Sequence, residues 1–175
     1  MFKGKELLFR RVIAYVLDIV LLFIVLAPAA FLAEALLGLQ PRTSSQIWFS
    51  AVMSFSIPAW SYFLFSDLSA GVTIGKKIMK VKIHSTNGSK ITFVRALVRT
   101  SVKLLPWELA HLFGFALVNQ INQIAQDIGL ISANLLIIVY LIILIVTSGK
   151  RSLHDLIAQT EVNFLEADSN TLGNY

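Results

Sequence analysis

The chain has 175 residues, of which 56% are hydrophobic and only 14% charged, with a formal charge of +5 and a mean hydropathy of +0.73. Soluble domains carry about 25% charged residues, so this chain cannot cover a globular surface and lipid must cover part of it. Cysteine is absent, which excludes disulfides and thiolate metal sites. The positive charge comes with no nucleic-acid recognition motif and reads as a basic face against anionic lipid.

No repeat or Gly/Ser-rich linker divides the chain, so one membrane domain is expected over residues 1–164, followed by a polar, disordered tail at 165–175. Lys3, Lys5, Arg10 and Arg11 precede an apolar run through Ala27-Pro28-Ala29, which imitates a signal peptide. Asp18 interrupts that run and the hydrophobicity continues to Leu37, so a retained helix is expected. Four segments approach the roughly 20 residues needed to span a bilayer: 12–37, 47–66, 104–121 and 128–147. The third is the weakest, because it holds Glu108 and His111.

With four spans and both termini cytoplasmic, all but one of the 15 basic residues fall on one side, Arg42 being the exception. Without the third span, Lys150 and Arg151 would change sides. The expectation is therefore an all-α, four-helix polytopic bundle of the cell (inner) membrane.

Its long cytoplasmic loop carries two elements. Val81, Ile83, Ile91 and Phe93 alternate with polar residues around Asn87-Gly88, which predicts a small hairpin. Arg95, Arg99 and Lys103 recur at four-residue spacing, which predicts a basic amphipathic helix lying on the membrane surface. Together with Lys76, Lys77, Lys80 and Lys82 they are candidates for contacts with anionic lipid or a partner.

Candidates for chemistry are few. Arg11 and Asp18 are seven apart and share a helix face, with Asp18 about 10 Å deeper at 1.5 Å per residue. An intramembrane carboxylate costs roughly 2.5–3.5 kcal/mol on insertion scales. Two readings stand side by side: a proton- or cation-binding group, or a polar clasp that fixes helix packing. Ser152 and Asp155 match a capping box. Glu108 and His111 are three apart; they form either a relay towards Asp18 or, the preferred reading, an acid in the first turn after Pro106. No metal cluster, nucleophile elbow or phosphate loop is visible, so neither an enzyme nor a cofactor is expected.

Three motifs occur in order. Arg11-Val12-Ile13-Ala14 is followed by Asp18; Thr73-Ile74-Gly75-Lys76 lies in the central loop; Leu153-His154-Asp155-Leu156-Ile157-Ala158 closes the domain. This pattern resembles the RDD family of membrane proteins, with Arg11, Asp18 and Asp155 as the arginine and two aspartates. Gln159 stands where that family usually has glycine, and Glu161 where it has an apolar residue. The resemblance implies a polytopic membrane protein and possible transport, including cation/proton antiport in some members.

The functional expectation is a small transporter-like protein for protons, sodium or another small ligand, acting as a homo-oligomer. Asp18 would bind the cation, Arg11 would tune it and Asp155 would pair with Arg11. The alternative is a non-catalytic scaffold that docks partners or anionic lipid through its basic loop.

Overall fold

A computed structural model describes residues 2–38, 41, 43–116 and 122–165. Helix α1 (Phe2–Leu37) is followed by α2 (Ser44–Ala51), a π-helical turn (Val52–Ser56) and α3 (Ile57–Ser69). A short α4 (Ile74–Ile78) and strand β1 (Val81–Ser85) lead into α5 (Phe93–Ala116), α6 (Gln123–Val146), α7 (Leu153–Ala158) and strand β2 (Thr160–Phe164).

Three helical stretches are long and apolar enough to cross a membrane: Lys3–Leu37, Ser44–Ser69 and Gln123–Val146. Their burial pattern is the reverse of a soluble protein's. Phe31 is 75% exposed, Leu36 76% and Val146 77%, and only hydrocarbon can cover such surfaces without penalty. This is a membrane protein. The 36 residues of α1 reach about 54 Å at 1.5 Å per residue, against a hydrocarbon core of about 30 Å, so α1 projects beyond it. The π turn covers the residues just ahead of Pro58, whose missing amide leaves a gap in the helical ladder that the wider turn accommodates.

The expected third span corresponds to the second half of α5, which is not among those three stretches. Arg95, Arg99, Lys103, Glu108 and His111 lower its hydropathy, and residues 117–121 lie outside the described residues. Residues 166–175 of the expected tail, and Arg42, also lie outside them. Helix α5 packs along α6, where Gly129 admits the ring of Phe113: an added Cβ would stand 2.2 Å from it. Buried Gln126 reinforces the contact by donating to the Phe113 carbonyl at 3.1 Å.

Two loop expectations are corrected. The predicted hairpin does not form: β1 pairs antiparallel with β2, with Val81 opposite Phe164 and Ser85 opposite Thr160. The turn at Asn87-Gly88 exists, but its far side enters α5, with Thr92 Oγ1 accepting from the Arg95 amide. Val162 and Phe164 alternate with Glu161 and Asn163, so β2 offers β1 an apolar face, while Phe93 on the far side of the turn already begins α5. Val81, Ile83 and Val162 bury that face against Leu7 and Ala14 of α1. Nor does the basic helix lie on a surface. Arg99 and Lys103 are buried and face inward, because carboxylates and aromatic rings wait for them there.

Candidate functional site

The charged end of the bundle is held by a ladder of alternating charges. Arg11 Nη2 donates to Asp155 Oδ2 at 2.5 Å. Arg99 reaches Asp155 Oδ1 through Nε at 3.0 Å and Nη2 at 2.9 Å. Its Nη1 donates to Asp67 Oδ2 at 2.5 Å, and Lys76 Nζ donates to Asp67 Oδ1 at 3.1 Å. One continuous chain, Arg11–Asp155–Arg99–Asp67–Lys76, thus ties α1, α7, α5, α3 and α4 together. The planar guanidinium suits Arg99, since it must serve two carboxylates at once.

Asp155 is completely buried and also accepts from the Ser152 amide at 2.9 Å and Thr160 Oγ1 at 3.1 Å. Burial alone would raise its pKa, but Arg11 and Arg99 outweigh that and hold it well below the usual carboxylate range. Burial pushes Lys76 down to about 8, which Asp67 offsets only in part.

Asp18 stands outside this ladder. Its Oδ1 accepts from Tyr62 Oη at 2.6 Å and from the Gly75 amide at 2.7 Å, and its Oδ2 from Thr73 Oγ1 at 2.5 Å. Thr73 caps α4, so the carboxylate seats that short helix on α1 through charge, dipole and direct donors. Gly75 is required by the close approach, because a Cβ there would lie 2.1 Å from the Ala14 carbonyl oxygen and 2.9 Å from Asp18 Oδ1.

Arg11 and Asp155 are therefore brought together, while Asp18, although on the face of Arg11, binds the loop instead. Glu108 turns towards the second apolar stretch and accepts from Ser56 Oγ and Trp60 Nε1, each at 3.1 Å. The ring of His111 packs edge-on against Trp107 at 4.5 Å.

Among the lipid- or partner-contact candidates, Lys76, Arg99 and Lys103 are buried. Arg95 clasps the turn through Ser85, Asn87 and Ser89, and Gln159 through its other nitrogen. Lys77 and Lys80 are exposed and Lys82 half-buried.

Sequence reading missed Asp67, Tyr62 and Glu34, and treated Thr73 and Gly75 only as part of a motif. Asp67 did leave a signal, as an acid closing an apolar run. Glu34 accepts from Ser50 Oγ at 2.5 Å near the other end of α1.

Two cavities flank this framework. One of about 310 Å³ opens at the charged end between α1, α5 and α6, lined by Arg11, Asp18, Lys103 and His154 among others. The second, about 500 Å³, lies towards the opposite end of α1, lined by Glu34, Ser50, Ser54 and His111. Trp107 borders both. It packs on Phe23 at 5.7 Å, and Phe23 on Phe55 at 5.5 Å, so Trp107 joins an aromatic cluster where the two spaces share a wall. Among the described residues, no cluster of His, Asp and Glu is arranged to hold a metal ion.

The family model described as the RDD family matches residues 6–159. No curated protein and no solved structure matches the chain.

Proposed function

The chain belongs to the RDD family, and from that premise we propose that it is a small transporter-like protein of the cell membrane. In this reading both termini are cytoplasmic and it moves protons, sodium or another small ligand. The observation that carries the reading is the pair of cavities that approach each other from opposite ends of α1 and share Trp107 as their wall. A barrier of one aromatic layer between two spaces is what alternating access requires.

Ligand-handling carboxylates then stand at successive depths: Glu34, Glu108 beside the aromatic cluster, and Asp18. Three donors fix the carboxyl group of Asp18 in place, so a cation would have to displace one of them and loosen α4. Asp18 thus couples the inner cavity to the loop, and the Arg11–Asp155 pair closes the cytoplasmic end. A second copy of the chain would complete a pathway that so few long helices do not enclose alone. No catalytic chemistry is assigned.

The test is flux in proteoliposomes of purified protein carrying an internal pH dye. A sodium or potassium gradient is expected to drive proton movement. Trp107→Ala is expected to convert coupled movement into leak, and Glu108→Gln to reduce it at least tenfold. Wild-type protein that moves no protons under either gradient would sink the cation form of the reading.

A second reading rests on the exposed Lys77, Lys80 and Lys90 on the charged end. There the protein is a scaffold holding anionic lipid or a partner. It predicts that neutralising Lys77, Lys80 and Lys82 abolishes retention on anionic vesicles in a protein that never supported flux.

A further inference from the structure

The cavity at the charged end carries one more basic side chain than its own carboxylates pair with. Around this cluster, buried Asp18, Asp67 and Asp155 face buried Lys76, Arg99 and Lys103 and the partly buried Arg11. Arg11, Lys76 and Arg99 each have a carboxylate within hydrogen-bond reach. Among the described residues Lys103 has none, although it is only 8% exposed. Its Nζ lies over the ring of Phe63 at 3.3 Å and that of Tyr15 at 5.0 Å, contacts that compensate a buried ammonium only in part.

A second polar atom is left over in the same cavity. Buried His154 lines it, and among the described residues its Nδ1 has no hydrogen-bond partner. Buried polar atoms are nearly always satisfied, so an unpartnered Nδ1 and an ammonium without a carboxylate around one space mark it as the place of a missing group.

The rest of the wall shows what the partner looks like. Beyond the basic floor the lining is apolar, with Pro106, Trp107, Ala110 and Leu144. The mouth is formed by Tyr15, Ile137 and Leu141, which are 39–47% exposed on the lipid-facing surface. Helices α1 and α6 make little direct contact there, which leaves a slot between them.

We propose that this cavity binds a single-chain organic monoanion, a carboxylate with an apolar tail, that enters from the bilayer between α1 and α6. The carboxylate meets Lys103, and the tail lies along Trp107 and Leu141 towards the lipid. One negative charge completes the buried cluster. A volume of about 310 Å³ sits at the lower end for small-molecule sites and suits one chain, not a two-chain lipid. The proposal deepens the transporter-like reading and rests on it for the role of the inner cavity.

The experiment uses the full chain in detergent micelles and the fluorescence of Trp107. Titration with 11-bromoundecanoate is expected to quench a saturable component that Trp107→Phe removes. The trimethylammonium analogue and 11-bromoundecanol, which partition into micelles but lack the anion, are expected to give no saturation. Lys103→Met is expected to weaken apparent affinity at least tenfold, and Lys103→Arg to retain it. Ala110→Phe fills the cavity without altering charge, and it too is expected to abolish the saturable component.

Equal quenching by all three probes overturns the proposal. Saturation only by dibrominated phosphatidylglycerol overturns the single-chain assignment. Binding is read without a gradient, so flux without saturable binding sinks this proposal alone. Saturable binding without flux supports it and removes the transport reading instead.

Discussion

Arg99 decides the charged end. Its guanidinium is 1% exposed and serves two carboxylates that are fully buried. Removing one partner of a buried ion pair costs about 3–5 kcal/mol, because the other charge is left uncompensated. Arg99→Met is therefore expected to destabilise the protein by about that much, read as a lower melting temperature in detergent. Arg99→Lys is expected to fall in between, since an ammonium cannot fork to Asp67 and Asp155 together. An Arg99→Met protein that melts like wild type would refute the ladder's energetic role.

His154 makes a pH-dependent contribution. Burial, reinforced by Arg99, Arg11 and Lys103, outweighs Asp155 and holds its pKa well below the ordinary histidine value. Below about pH 6.5 the unfolded chain takes up a proton that the folded chain refuses, so stability falls as pH falls through that range. Melting temperatures between about pH 7.5 and pH 5.5 are expected to show this slope, and His154→Gln to flatten it.

At the scale of elements, the short pieces at the charged end each lean on a long helix. Helix α4 has only five residues and holds its place through Asp18 and the contact of Gly75 with α1. Isolated helices so short do not persist in water. Gly149, with a φ of +82°, comes as close from the other side, where an added Cβ would lie 2.5 Å from the Leu8 amide nitrogen.

Helix α7 stops at Gln159, whose φ of +53° is left-handed. A side chain there costs roughly 1–2 kcal/mol, which explains the usual glycine at that position in the family. Gln159→Gly is expected to stabilise the fold by about 0.5–1 kcal/mol once the added freedom of the unfolded chain is subtracted. Urea unfolding in detergent reads it, and no gain would mean that the Arg95–Gln159 bond outweighs the strain.

At the scale of the molecule, the number of crossings controls everything functional. If α5 and the residues after it cross, Lys90 and Leu165 lie on one side and Asn122 on the other. The chain has no cysteine, so single-cysteine variants need no prior removals. Lys90→Cys and Leu165→Cys are expected to react with an impermeant maleimide from the cytoplasmic side only, and Asn122→Cys from the opposite side only. Labelling of all three from one side would make α5 a re-entrant segment.

The membrane character, the three long apolar helices and the family were legible in the sequence, because hydropathy and motif order are local properties. Arg11 and Asp155 were legible as a pair through the count of basic residues, which puts both at one end. Other features depended on tertiary contact. Arg95, Arg99 and Lys103 have the spacing of a surface helix, and only the arrival of Asp67 and Asp155 from distant segments turns that face inward. Alternation around Asn87-Gly88 suggested a hairpin, yet β1 chose a strand almost 80 positions away from it in the chain, since pairing partners are set by which apolar face is available. Asp18 could be placed in the first helix from its neighbours alone. That it fastens a loop, while among the described residues Lys103 meets aromatic rings and no carboxylate across the same cavity, follows only from which side chains the fold brings close to one another.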